Sequence, residues 1–126
     1  MKKMLGLSMV FSFLFVVVSQ LQAHPPSDIK ITFDTETKML DAVISHAVSN
    51  PIKHFIKKVD VGLNGMEIIS QSISREDNND TQTVRYLIPD AKVGDEISVE
   101  GYCSISGKLT KKITVQSKKA KADSNK

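Results

Sequence analysis

Apolar and polar residues alternate in short runs from Asp28 onward, and this period of two is typical of half-buried β-strands. Seven such runs follow one another, and turn-forming residues separate them. The strongest turn signal is Asn64-Gly65, because a type I′ hairpin needs positive φ at both central positions. The residues predicted to define the inward faces are Ile29, Ile31, Phe33, Leu40, Ala42, Ile44, His46, Val59, Val61, Leu63, Met66, Ile68, Ile73, Val84, Tyr86, Ile88, Ile97, Val99, Gly101, Leu109, Ile113 and Val115.

This pattern predicts an all-β fold. No run after residue 23 has a helical period, and seven short strands at this spacing favour an immunoglobulin-like antiparallel β-sandwich. The chain has a single Cys and no Trp, so it lacks the Cys…Trp…Cys core of antibody domains. The polar segment 74-SREDNNDT-81 is predicted to be a loop between the fourth and fifth strands.

The N-terminal segment changes the boundaries of this domain. Residues 1–23 have two lysines, an apolar stretch from Leu5 to Val18 and an A-x-A-like end, 21-LQA-23, which together predict a cleaved signal peptide. The apolar stretch is short for a membrane span, so a retained membrane anchor is the less favoured alternative. We therefore predict a periplasmic or secreted protein with one domain, 24–116, and a disordered basic tail, 117–126.

The charge balance excludes one class of partner. The chain has 17 Lys and Arg against 14 Asp and Glu. Two of the lysines lie in the predicted signal peptide and several more in the tail, so the domain itself is nearly neutral. This is not the basic footprint of a nucleic-acid-binding protein. After cleavage, nothing in the sequence predicts stable insertion into a membrane.

The histidines and the cysteine are the residues most suited to chemistry. Simple antiparallel reversals place the start of strand one, the end of strand two, the start of strand three and the end of strand six at one end of the sandwich. That end would contain all three histidines and the only cysteine, which are His24, His46, His54 and Cys103.

Imidazole and thiolate ligands suit iron, copper or zinc rather than calcium or magnesium. An exported protein with one Cys cannot form an internal disulfide, so the thiol needs burial, a metal or a partner. Taken singly, each of these residues also has a structural interpretation: a capped His at a strand end, or a Cys that packs as a small apolar side chain.

Four segments resemble a known family. The segments 24-HPP-26, 46-HAV-48, 54-HFIKKV-59 and 102-YCSISG-107 are similar to motifs of the iron domain of desulfoferrodoxin and neelaredoxin, the superoxide reductases. The resemblance extends over nearly the whole predicted mature chain. It implies an immunoglobulin-like sandwich, in agreement with the strand pattern.

The resemblance also implies a mononuclear ferrous (Fe²⁺) centre, with four equatorial histidines, an axial cysteine thiolate and one open position where superoxide is reduced to peroxide. The residues that match ligands are His24, His46, His54 and Cys103. Ser106 stands where the family has its fourth histidine, 22-QA-23 replaces a Glu-Lys pair, and Lys58 replaces a Trp. The expectation is a diverged superoxide reductase-like oxidoreductase with a modified iron site, served by a redox partner protein.

Two alternatives remain open. If cleavage leaves His24 at the N-terminus, its amine and imidazole could chelate copper with His46 or His54, in a histidine brace. Pro25 restricts His24 to an extended conformation without removing that amine. The other alternative is a metal-free binding module, since a sandwich by itself does not determine function. The chain has no G-x-S-x-G, H-E-x-x-H or glycine-rich phosphate loop.

Overall fold

A computed structural model describes residues 24–118 of the chain. The predicted signal peptide and residues 119–126 of the predicted tail lie outside the described residues. Between residues 24 and 118, no helix has the length and apolar character needed to cross a membrane. The seven strands are β1 (Asp28–Asp34), β2 (Met39–Ser45), β3 (Ile56–Leu63), β4 (Met66–Ser72), β5 (Thr81–Leu87), β6 (Glu96–Cys103) and β7 (Lys108–Thr114).

The strands form two antiparallel sheets that pack face to face. One sheet has the order β1-β2-β5 and the other the order β4-β3-β6-β7. The all-β, immunoglobulin-like sandwich expected from the hydrophobic pattern is therefore confirmed. The chain changes sheet between β2 and β3, between β4 and β5, and between β5 and β6, so these connections cross the ends of the sandwich.

The core consists of the inward positions of the alternating pattern. In β2, Leu40, Ala42 and Ile44 are fully buried, while Asp41 and Val43 between them are partly exposed. Burial of one Leu or Ile side chain is worth about 1.5–3 kcal/mol. The other members of the central core cluster are Ile29, Ile56, Val59, Val61, Val84, Ile88, Ala91, Ile97, Val99 and Val115.

The prediction for β4 is wrong for two of its three inward residues. Met66 and Ile68 are 70% and 41% exposed, and Ile69 packs against the core instead, whereas Ile73 packs against it as predicted. A bulge is responsible for the exchange of Ile68 for Ile69: the β3–β4 pairing shifts register at Val61/Gly62, and Ile68 has no partner on β3. One extra residue exchanges the two faces of a strand, which a strict period of two cannot anticipate.

The two ends of the sandwich differ in what they hold. The hairpin end contains the β3–β4 turn, where Asn64 and Gly65 have φ of 51° and 83°, as a type I′ turn requires. The histidine end contains the start of β1, the end of β2, the start of β3 and the end of β6, as the register pairs Asp28↔Ser45 and Ile56↔Cys103 show. The β4–β5 loop also lies there, because β5 begins at Thr81 opposite Ser45.

Candidate metal centre

Three imidazole rings meet at the histidine end. His24 precedes β1, His46 follows β2 and His54 lies just before β3. The ring centroids are 5.0 Å apart for His24 and His46, 5.2 Å for His24 and His54, and 4.7 Å for His46 and His54. One ligand nitrogen from each ring lies within 4.8 Å of the other two. Three residues that are distant in sequence thus form one group that could hold a metal ion.

Cys103 lies beside this group and contacts one member of it. It is the last residue of β6, paired with Ile56, and is 2% exposed. Its Sγ is 3.1 Å from His54 Nε2 and accepts a hydrogen bond from the Ile105 amide at 3.4 Å. The group whose ligand atoms all lie within 4.8 Å of one another contains only the histidines. The structure therefore brings all four predicted residues to one end of the sandwich, where Cys103 contacts the His54 ring.

A buried carboxylate adjoins the rings. Glu76 is fully buried and His46 is 1% exposed, and Glu76 Oε1 lies 2.6 Å from His46 Nδ1. The same oxygen accepts the Ile56 backbone N–H at 3.1 Å. The second oxygen, Oε2, is buried without a hydrogen-bond partner among the described residues. His46 Nε2 lies 3.2 Å from the backbone carbonyl oxygen of His24.

The sequence did not predict Glu76 as part of the site, because the segment around it has the polar composition of a solvated loop. The loop folds back over the histidine end, where the Glu76 amide donates to the Pro51 carbonyl at 3.0 Å. The His46 and Val48 amides donate to the carbonyls of Asp80 and Asn79. One signal was available: the strand parity that gathers the histidines also places the β4–β5 loop at their end.

The crowding of the rings affects the pKa of His54. Burial lowers the pKa of His54 from its usual 6.5, and positive charge on His46 and His24 lowers it further. A lowered pKa favours the neutral form of His54, whose nitrogen lone pair can bind a metal. Two imidazolium rings this close would repel each other.

The loop after β6 supports the position of His24. Gly107 has φ of 84°, and a Cβ at this residue would lie 2.9 Å from Pro25 Cβ. The Cys103 amide donates to the Gly107 carbonyl, and the Ser104 amide donates to the Phe55 carbonyl. The loop therefore packs closely on the residue that follows His24. Ser106 is exposed in this loop.

The comparisons with known proteins add no relative. No protein-family description matches the chain. No curated protein matches it at a significant level. The resemblance to the superoxide reductases thus depends on the four quoted segments.

Proposed function

We propose that this protein binds one transition-metal ion at the histidine end and is a diverged superoxide reductase-like protein with a modified iron site. The residues that would hold the ion are His24, His46, His54 and Cys103. The observation that carries the proposal is the convergence of these four side chains, which include every histidine and cysteine of the chain.

The side chains present fit a transition-metal ion better than a hard cation. Neutral imidazoles with a thiol suit iron, copper and zinc, whereas calcium and magnesium prefer oxygen ligands. The Glu76 carboxylate on His46 Nδ1 is the kind of partner that a ligating histidine usually has on its other nitrogen. Both features favour a metal over a purely structural cluster.

Iron would supply the one-electron chemistry. Reduction of superoxide to hydrogen peroxide consumes one electron and two protons, so a redox partner protein must return the electron and water must supply the protons. The residues of this chain bind and orient: the imidazoles fix the ion, and the thiolate of Cys103 would donate electron density to it. Ser106 in place of a fourth histidine leaves fewer protein ligands than the resemblance implies.

The proposed location is outside the cytoplasm, in the periplasm or secreted. It is supported by the signal-like pattern of residues 1–23. It is also supported by the burial of Cys103, because a lone thiol in an oxidising compartment needs protection.

The test is metal analysis of the exported, processed protein. We expect one iron per chain and, after oxidation, a visible thiolate-to-iron absorption band. Cys103→Ser should abolish the band and iron retention, while the exposed control Ser106→Ala should keep both. The iron protein should consume superoxide when a reductant is supplied.

Two other outcomes would contradict the proposal. Stoichiometric copper that is lost when one residue is added before His24 would indicate the histidine brace instead. Protein that retains no metal, and whose melting temperature does not change with added iron or copper, would indicate a metal-free module.

A further inference from the structure

We propose that Glu76 is the positioning residue of the site: it holds the hydrogen of His46 on Nδ1, so that Nε2 faces the other two imidazoles. The metal-affinity part of this inference rests on the proposed function, whereas the positioning of the ring does not. Nothing in the sequence motifs assigns a role to Glu76.

The hydrogen bond between the two side chains defines the tautomer. An ionised carboxylate can only accept hydrogen bonds, so His46 Nδ1 must donate. The separation of 2.6 Å is short, as expected when the acceptor is charged. With its hydrogen fixed on Nδ1, the ring can present only Nε2 to a ligand. In the structure Nε2 lies 3.2 Å from the backbone carbonyl oxygen of His24, a contact that a bound metal ion would replace.

Glu76 also links the two segments that carry His46 and His54. Its Oε1 accepts the amide of Ile56, two residues after His54, while its own amide donates to Pro51 in the connection between the two histidines. One carboxylate oxygen therefore joins the His46 side chain, at the end of β2, to the backbone at the start of β3. These bonds hold the two segments at a fixed separation and so determine the distance between the His46 and His54 rings.

The burial of the carboxylate indicates which ligand the site favours. Glu76 is fully buried, and Oε2 has no hydrogen-bond partner among residues 24–118. Within those residues no Lys or Arg forms an ion pair with Glu76, and its contact with a titratable side chain is the one to His46 Nδ1. A buried anion needs compensating positive charge, and a cation at His46 Nε2 would supply it through the ring. Glu76 should therefore strengthen cation binding as well as orient the ring.

The experiment compares Glu76→Gln with Asp77→Asn in the processed full chain. Asp77 is the adjacent carboxylate in the same loop. It accepts hydrogen bonds from the Thr83 amide and the Gln82 side chain, and within residues 24–118 it forms no hydrogen bond or ion pair with a histidine. Zinc and cobalt are titrated by competition with a chelating dye. We expect Glu76→Gln to weaken binding by about 10–100-fold and Asp77→Asn to leave it unchanged.

The second readout is the tautomer of His46, measured by ¹⁵N NMR of the imidazole nitrogens in metal-free protein. Wild type and Asp77→Asn should carry hydrogen on Nδ1, and Glu76→Gln should lose this preference. Glu76→Asp keeps the charge on a shorter side chain and should restore part of the affinity. It also serves as the second variant if the glutamine variant does not fold.

The outcomes separate the two proposals. Equal metal affinity of Glu76→Gln and wild type, with the same His46 tautomer, would overturn the positioning role. Hydrogen on Nε2 alone in wild type would also overturn it. If wild type binds neither zinc nor cobalt, nor iron, the proposed function fails, and the tautomer measurement still decides whether Glu76 positions His46.

Discussion

The two ends of the sandwich differ in how completely their polar side chains are hydrogen-bonded. At the hairpin end, the Asn64 side chain donates to Asp95 Oδ1 at 3.0 Å and accepts from the Glu96 amide at 2.9 Å. Asp95 Oδ2 accepts the Lys92 amide at 2.9 Å. Every polar side-chain atom of this small network has a hydrogen-bond partner elsewhere in the chain, and these bonds close the turn.

At the histidine end, side chains that can bind a metal lie together, although several of their atoms also bond to one another or to the backbone. Three rings converge, a thiol contacts one of them, and a buried carboxylate oxygen is left without a partner. Most buried polar atoms in native proteins are hydrogen-bonded, so an exception suggests a functional reason. Hydrogen-bonded polar side chains at an end of the sandwich therefore do not by themselves identify a ligand site. A group of potential metal ligands beside a buried carboxylate oxygen without a hydrogen-bond partner is a better indication of one.

The largest expected difference between the two ends is their response to added metal. Zinc at a hundredfold excess over its dissociation constant should stabilise wild type by about 2.7 kcal/mol, or roughly 10–20 °C in melting temperature. His54→Ala should abolish this shift, and Asn64→Ala should retain it. The measurement is thermal unfolding with and without zinc. An equal shift in wild type and His54→Ala would show that the metal binds elsewhere.

The next test compares one glycine from each end. Gly65 and Gly107 both have positive φ, so alanine should destabilise either position by about 1–2 kcal/mol. A Cβ at Gly65 meets nothing, but one at Gly107 would lie against Pro25, which adds roughly 1–3 kcal/mol of overpacking. Urea unfolding measures both losses.

A measurement of zinc affinity distinguishes the two glycine variants further. Gly107→Ala displaces the residue that follows His24, so it should also weaken zinc binding, while Gly65→Ala should not. Equal losses of stability for the two variants would contradict the close packing between Gly107 and Pro25.

A smaller effect is expected from the hairpin network. Asn64→Ala removes two hydrogen bonds, each worth about 0.5–1.5 kcal/mol, and should lower the free energy of unfolding by about 1–3 kcal/mol. Metal affinity should not change, because the network lies at the other end of the sandwich. A variant with weaker zinc binding would mean that the two ends are coupled.

The smallest effect concerns acid. The Asn64 amide, followed by the Lys92 backbone N–H, lowers the pKa of Asp95 below its usual 3.8. The stabilisation from ionised Asp95 is therefore present above that value and is lost as pH falls through the lower pKa of the folded state.

The urea midpoint, measured between about pH 5 and pH 2, should consequently fall less steeply in Asn64→Ala than in wild type. Asp34, whose pKa is lowered by the amides of Thr37 and Glu36, contributes equally to both proteins and cancels in the difference. Identical acid profiles would show that Asn64 does not stabilise the Asp95 carboxylate.

The order of the strands and the four candidate metal ligands could be predicted from the sequence alone. Alternation such as that from Leu40 to His46 depends only on neighbours in the chain, and strand parity then fixes which end each residue occupies. This was enough to group three histidines and Cys103, and to place the Asn64-Gly65 turn opposite them.

The residues that surround the candidate ligands became known only from the tertiary structure. The bulge at Ile68 and the burial of Glu76 depend on contacts between segments far apart in sequence; Glu76 lies 30 positions from His46. A loop of polar residues has no period from which its packing could be predicted. The histidines are therefore visible in the sequence, while the carboxylate that orients one of them becomes visible only when the β4–β5 loop is seen folded over the end of β2.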